Sequence, residues 1–294
     1  MTGGDIGYLL GALVLIAAFM VAEVVAASIG GSLVLFADAG HMLTDVAALG
    51  LSVFAARLAA RPPRGVWTYG LRRAEILSAA ANGILLVAIG LVIVVEAISR
   101  LVNPPPVQGW LVLIVALVGV LVNLAATLVL SRADRRSLNV RGVVAHVVTD
   151  LYAFLGTAAA GAIIVVTGWR RADALFSLLV AVLMALSAWG LLRDSGRVLL
   201  QGAPEGVDLP SVRSHLVGVP HVVDVHDLHA WTVSSGLPTL SAHVVVEDHC
   251  FATGHAPQLL DMLQECLEGH FDVQHATLQL EPASHAGHEH AAHQ

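Results

Sequence analysis

Up to about residue 200 the apolar residues run in long blocks, and beyond it they alternate with polar ones. Six blocks lie near residues 8–28, 33–56, 74–98, 109–131, 142–166 and 173–192. Each reaches the roughly 20 residues that a helix needs to cross about 30 Å of hydrocarbon. Polar or helix-breaking stretches separate them: GGS at 30–32, RPPRG at 61–65, NPPP at 103–106, RADRR at 132–136 and GWRR at 168–171. The pattern predicts six transmembrane helices within residues 1–202. The first block is read as a retained span, because it has no basic lead-in and its apolar run is longer than that of a secretion signal.

After the linker GAPEGVDLP the period changes. Residues 208–217 predict a short helix, and 222–231 and 239–247 alternate like strands around a turn at SSGLP. Leu259, Leu260, Met262, Leu263, Cys266 and Leu267 recur at helical spacing within 256–269, and 273–281 alternates again. This αββαβ order predicts a small α+β domain over 203–283, an open-faced antiparallel sheet with two helices. The remainder, SHAGHEHAAHQ at 284–294, predicts a His-rich disordered tail.

Composition agrees with the blocks. The chain is 56% hydrophobic and 13% charged with a mean hydropathy of +0.77, values that a water-soluble domain rarely reaches. All 15 basic residues are Arg. The absence of Lys excludes a P-loop lysine and Schiff-base chemistry, and the net charge of −7 carries no nucleic-acid footprint. Two cysteines, Cys250 and Cys266, are too few for a disulfide framework. Eleven arginines fall in the segments after spans two, four and six, and three (Arg100, Arg170 and Arg171) fall on the other side. The positive-inside rule then places both termini in the cytoplasm, and the expected location is the cell (inner) membrane, as an integral multi-pass protein.

Charged side chains inside the blocks demand an explanation. FADAGHMLTD at 36–45 places Asp38, His41 and Asp45 in span two, and HVVTD places His146 and Asp150 in span five. A carboxylate at mid-membrane costs roughly 2.5–3.5 kcal/mol on insertion scales. Each span carries His-x-x-x-Asp, which puts both side chains on one helix face. At 1.5 Å rise per residue, His41 lies about 12 Å, Asp45 about 18 Å and Asp150 about 13–14 Å from their respective faces, so the pairs can meet near the midplane. Two imidazoles and two carboxylates suit tetrahedral Zn²⁺ and balance its charge. Binding needs neutral His and ionised Asp, so it releases protons, and proton-for-metal exchange follows. Asp38 shares the face of His41 and Asp45, where a supporting contact, a proton path or a structural hydrogen bond are equally open. Glu23, Asn82 and Asn123 read as packing groups.

At these residues the chain resembles the cation diffusion facilitator family, in its zinc-exporting branch. The matching text is FADAGHMLTD, YGLRRAEILSAAANG, HVVTD, VHDLHAW and LSAHVVVED, spread over essentially the whole chain. The resemblance implies six spans, a cytoplasmic ferredoxin-like domain of metallochaperone type, a homodimer in membrane lipid, and proton-coupled export of divalent metal. It also implies that His41, Asp45, His146 and Asp150 form the transport site, with zinc as the preferred ion and Cd²⁺ or Co²⁺ as further candidates. Two departures stand out: the loop RADRRSLNVRG lacks the His-rich insert of many relatives, and RLAARPPRGVWTYG has neither His nor acid to form an extra site.

Thirteen of the 15 histidines follow residue 200. His226 and His243 match family positions that bind metal between the tail domains of a dimer. His275, Gln279 and Glu281 share one face of the last strand by alternation, and Gln279 stands where some relatives have a His ligand. The expected set is therefore His226, His243, His275 and Glu281, with His249 and Cys250 as further candidates. His229 is expected to pack on the sheet, and Cys266 in the core. Zinc is thus both the expected substrate and a regulatory ligand. No catalytic or cofactor-binding residue is expected, and the chain is not read as an enzyme, because the His-Glu-x-x-His that an intramembrane metalloenzyme would want is absent. The alternative is a membrane zinc sensor without transport, which would need the tail set only.

Overall fold

The structure, a computed structural model, describes residues 3–30, 33–104, 109–169, 171–273 and 275–285. The chain divides into two compact units, Met1–Ser195 and Gly196–Gln294. Six long helices build the first: α1 (Gly3–Gly30), α2 (Leu33–Ala59), α3 (Ala74–Val102), α4 (Gly109–Leu130), α5 (Leu138–Thr167) and α6 (Arg171–Leu199). They run 22 to 30 residues, which at 1.5 Å rise gives about 33–45 Å. Among the described residues, α1, α3, α4, α5 and α6 each contain a window long and apolar enough to cross a membrane. The apolar run of α2 is interrupted by the acids and histidine of FADAGHMLTD. The outer faces are as apolar as the inner ones. Val14, Leu91, Val95, Leu121, Leu128, Leu186 and Trp189 are 60–71% exposed, the signature of helices that face lipid.

Four helices share one core. Leu9, Ala12 and Ile16 of α1 meet Met42, Leu49, Val53 and Ala56 of α2, Ala126 and Leu130 of α4, and Val143 and Val147 of α5. A second cluster joins Leu86 of α3 to Val180, Met184 and Ala188 of α6, with Ala153 of α5 packed against it. Close approach of α4 and α5 depends on Gly119: a Cβ there would lie 2.4 Å from the ring of Phe154. The helix ends are tied by polar contacts. Asp5 of α1 accepts from the Asp134 N–H at 2.9 Å, and Arg141 pairs with Asp194 at 2.7 Å. Ser137 caps α5 and accepts from the Val140 N–H, and Gly168 at φ 72° closes its other end.

The second unit contains α7 (Leu209–Val217), β1 (Val222–Thr232), β2 (Pro238–Val246), α8 (His249–Ala252), α9 (Ala256–Phe271) and β3 (His275–Pro282). Its core collects Val212 and Leu216 of α7, Val225 and Ala230 of β1, Leu240, Ala242, Val244 and Val246 of β2, Cys250, and Leu259, Leu263 and Leu267 of α9. The sheet order is β1-β2-β3. In one respect it differs from the expected antiparallel sheet: β2 and β3 pair in parallel. The reason lies in α9, whose 16 residues carry the chain back about 24 Å along the sheet, so β3 starts where β2 started. The short α8 was also not expected.

His229 is a second correction. It is exposed, with Nε2 3.3 Å from the Asp227 carboxylate, rather than packed on the sheet. A register shift lies between His226 and His229, and Asp227 has φ 51°. That bulge inverts the alternation, so Val225 and Ala230, of opposite parity, both face the core. Cys266 is likewise only half-buried, beside the core leucines of α9 rather than among them.

Candidate metal centre

On α2 the positions Met42, Asp45, Leu49, Ser52, Val53 and Ala56 repeat at helical spacing, and all are buried. The matching face of α5 buries Asn139, Val143, His146 and Val147. Two polar side chains are therefore carried into the seam by the same periodicity that packs it. His146 Nε2 lies 2.9 Å from Asp45 Oδ1 and 3.7 Å from Asp150 Oδ2. His146 is 1% and Asp45 5% exposed. One ligand atom from each of Asp45, His146 and Asp150 falls within 4.8 Å of the others, an arrangement that could hold a metal ion. His146 Nδ1 has no hydrogen-bond partner among the described residues. The side chains of His41 and Asp38, like that of Glu23, lie outside the described residues; their positions on α2 put His41 one turn from Asp45.

A polar network supports this seam. Asn82 Nδ2 of α3 donates to Ser52 Oγ at 2.9 Å, Ser52 Oγ lies 3.4 Å from Ser78 Oγ, and Asn139 Nδ2 of α5 donates to the Ser52 carbonyl at 2.8 Å. Ser52 thereby links α2, α3 and α5. Asn82 is a packing group, as its position suggested, and Asn123 turns back on the Gly119 carbonyl at 3.1 Å. The contributions of Ser52, Ser78 and Asn139 were missed; the available signal was three more polar residues inside apolar helices.

In the second unit His226 and His243 are direct register partners across β1 and β2. Val225 and Val244 face the core, so the two imidazoles face the other side of the sheet. Their ring centroids are 5.2 Å apart. His243 Nδ1 lies 2.8 Å from Glu281 Oε1, and His226 Nε2 lies 3.5 Å from Glu281 Oε2. Glu281 is buried, and Gln279 donates to its Oε1 at 2.7 Å. Gln279 thus sits beside His243 in register and holds the carboxylate in place. These three residues could also hold a metal ion. His275 is exposed at the start of β3, opposite Thr239 and four residues from Gln279, and is not in that group. His288, His290 and His293 lie outside the described residues.

A bundle of lipid-facing helices with a buried His/Asp cluster, joined to a small α+β domain with a His/Glu cluster, defines a multi-pass membrane protein built to handle metal cations. Comparison with known proteins gives the family. Residues 9–200 match the cation efflux transmembrane domain, and residues 204–283 match the cation efflux protein cytoplasmic domain. The chain belongs to the cation efflux family. It is 40% identical over 270 residues to the zinc transporter ZitB of Escherichia coli, covering 90% of this chain and 84% of that protein. It is 35% identical to the cadmium, cobalt and zinc/H(+)-K(+) antiporter of Bacillus subtilis, covering 96% and 91%. It is 38% identical to the metal cation efflux system protein CzcD of Cupriavidus metallidurans, covering 96% and 88%. A solved metal-bound C-terminal domain of the CzcD transporter matches with 36% identity, a TM-score of 0.23, and coverage of 26% of this chain and 99% of that one. These relatives are transporters rather than enzymes.

Proposed function

We propose that this protein exports Zn²⁺ from the cytoplasm in exchange for protons, by alternating access around a site made of His41, Asp45, His146 and Asp150. The observation that carries the reading is the convergence of Asp45, His146 and Asp150 inside the seam of two membrane helices. A shared proton between His146 Nε2 and Asp45 Oδ1 is compatible with their 2.9 Å separation. The same nitrogen must turn its lone pair to an incoming ion, so that proton has to leave as the metal arrives. Loading and proton release are then one event, and in the loaded site the double charge of the ion balances the two carboxylates. Relatives named for zinc, and for cadmium and cobalt with zinc, support the choice of ion. The Arg-rich segments support termini on the cytoplasmic side of the membrane. The second unit, matched by a cytoplasmic-domain model, would bind zinc at His226, His243 and Glu281 and join two copies into a dimer.

The test is zinc flux into liposomes loaded with a zinc-sensitive dye under an imposed pH gradient. Wild type is expected to transport, and Asp45→Ala and Asp150→Ala are each expected to lower flux by at least about 100-fold, since losing even a group that only supports a ligand typically costs 10–100-fold. Flux that survives both substitutions would place the path elsewhere. No flux from wild type in competent vesicles would favour a zinc sensor, which needs only the set in the second unit.

A further inference from the structure

A third group of metal-binding side chains lies where β2 leaves the sheet, in the stretch EDHC at 247–250. One ligand atom from each of His221, His249 and Cys250 falls within 4.8 Å of the others. His221 immediately precedes β1, whose residue Val222 pairs with Val246 at the end of β2. His226 and His243, by contrast, face each other about four residues further along the same strand pair, roughly 13 Å away at 3.3 Å per residue. The two groups are separate.

The backbone fixes the new group in shape. The Glu247 N–H donates to the His221 carbonyl at 3.1 Å, the Cys250 N–H to the Glu247 carbonyl at 3.0 Å, and the His255 N–H to the Cys250 carbonyl at 2.9 Å. His221 is held at φ 70°, a left-handed conformation that favours glycine. Its imidazole is turned toward the loop by that geometry. The side chains are arranged in two tiers. Glu247 Oε2 lies 3.0 Å from His221 Nδ1 and 3.2 Å from His249 Nδ1. A carboxylate that accepts from the His221 Nδ1–H leaves Nε2 of that ring with its lone pair free for a ligand, the usual way a metal-binding His is oriented, and the same oxygen stands beside His249 Nδ1. His249 Nε2 lies 3.9 Å from Cys250 Sγ. The two imidazoles are exposed, whereas Cys250 is buried, so the thiol closes the base of a cup with an imidazole rim.

We propose that His221, His249 and Cys250 form a binding site for a soft or borderline divalent cation such as Zn²⁺ or Cd²⁺, oriented by Glu247 and complete within one copy of the chain. Three protein ligands with a solvent-facing fourth position fit tetrahedral coordination, and the thiolate favours softer ions over Mg²⁺ or Ca²⁺. This site differs in kind from the other two, which offer only imidazole and carboxylate. It is independent of the export reading, because the site neither lies in the transmembrane helices nor requires transport.

The chain has two cysteines, which makes the test direct. Cys266 is the internal control: it lies on α9 with burial pushing its thiol up, which disfavours a thiolate. The full-length protein in detergent would be titrated with Co²⁺ and its thiolate-to-cobalt charge-transfer absorption followed. Wild type and Cys266→Ser are expected to develop the band, and Zn²⁺ and Cd²⁺ to displace it. Cys250→Ser is expected to abolish it. Because Cys250 is a core residue, the His221→Ala/His249→Ala double variant, at two exposed positions, is measured alongside and is expected to weaken Co²⁺ binding at this band at least 10-fold. No charge-transfer band in wild type at saturating Co²⁺, a band lost with Cys266 instead of Cys250, or a band unaffected by the double His variant would each overturn the assignment. None of these readouts depends on whether the protein transports zinc.

Discussion

His146 shows how little separates a structural polar residue from a ligand in a membrane helix. Its ring is buried, one nitrogen is 2.9 Å from Asp45, and the same nitrogen is 3.7 Å from Asp150. A purely structural histidine would need one acceptor; two carboxylates converging on one nitrogen leave more negative charge than an imidazole can balance, and a divalent cation meets that excess. Ser52 illustrates the opposite case, a polar group whose partners are all internal. Ser52→Ala would leave the buried Asn82 amide without its acceptor. It is expected to destabilise the protein by about 1–3 kcal/mol, read from thermal unfolding in detergent, whereas removing both polar partners together in Ser52→Ala/Asn82→Leu should cost less than the single change. The difference was not legible in sequence. Ser52, Asn82 and His146 are all polar residues in apolar blocks, and only coordinates show which have their hydrogen bonds met.

At the scale of elements, the spans were readable because lipid imposes a length. Every predicted block became a helix, and all of them except α4 overrun their blocks where the ends reach past the hydrocarbon. Packing between them was not readable. Gly119 looks like any glycine of an apolar helix, yet it admits the Phe154 ring, which in turn meets Phe19 edge-on at 6.5 Å between centroids. Gly119→Ala is expected to force α4 and α5 apart and to cost about 1–3 kcal/mol, measured by thermal unfolding; Phe154→Leu in the same chain should recover part of the loss. In the second unit strand identity was legible from alternation, but the bulge after His226 was not. One inserted residue changes which parity faces the core, so His229 was placed on the wrong side.

At the scale of the whole molecule, the proposal extends to regulation, with zinc bound in the second unit acting on transport. If His226, His243 and Glu281 bind zinc in a dimer, occupancy favours one arrangement of the two copies only to the extent that the affinities of the two arrangements differ. Fluorophores attached to the second unit of each copy should report a zinc-dependent change in energy transfer in proteoliposomes. His226→Ala/His243→Ala is expected to raise the zinc concentration for half-maximal change by at least about 10-fold. A wild-type signal that zinc does not alter would remove this coupling and leave the transport proposal intact.

What the sequence determined by itself is what depends on local periodicity and composition. The six spans, the αββαβ order and the two His-x-x-x-Asp pairs follow from the cost of placing polar groups in hydrocarbon and from the fixed pitch of helices and strands. What only the tertiary structure decided is which distant residues meet. The chain positions of Asp45 and His146 are 101 residues apart, and Glu281 lies far from His226 and His243 in sequence. Their contact arises because buried faces pack where apolar surface is best covered, and each charged group is then left to the partners that packing brings. The parallel return of β3, the bulge at Asp227 and the His221–His249–Cys250 cup belong to that second kind, since each depends on where a crossover or a turn delivers the chain rather than on the residues within it.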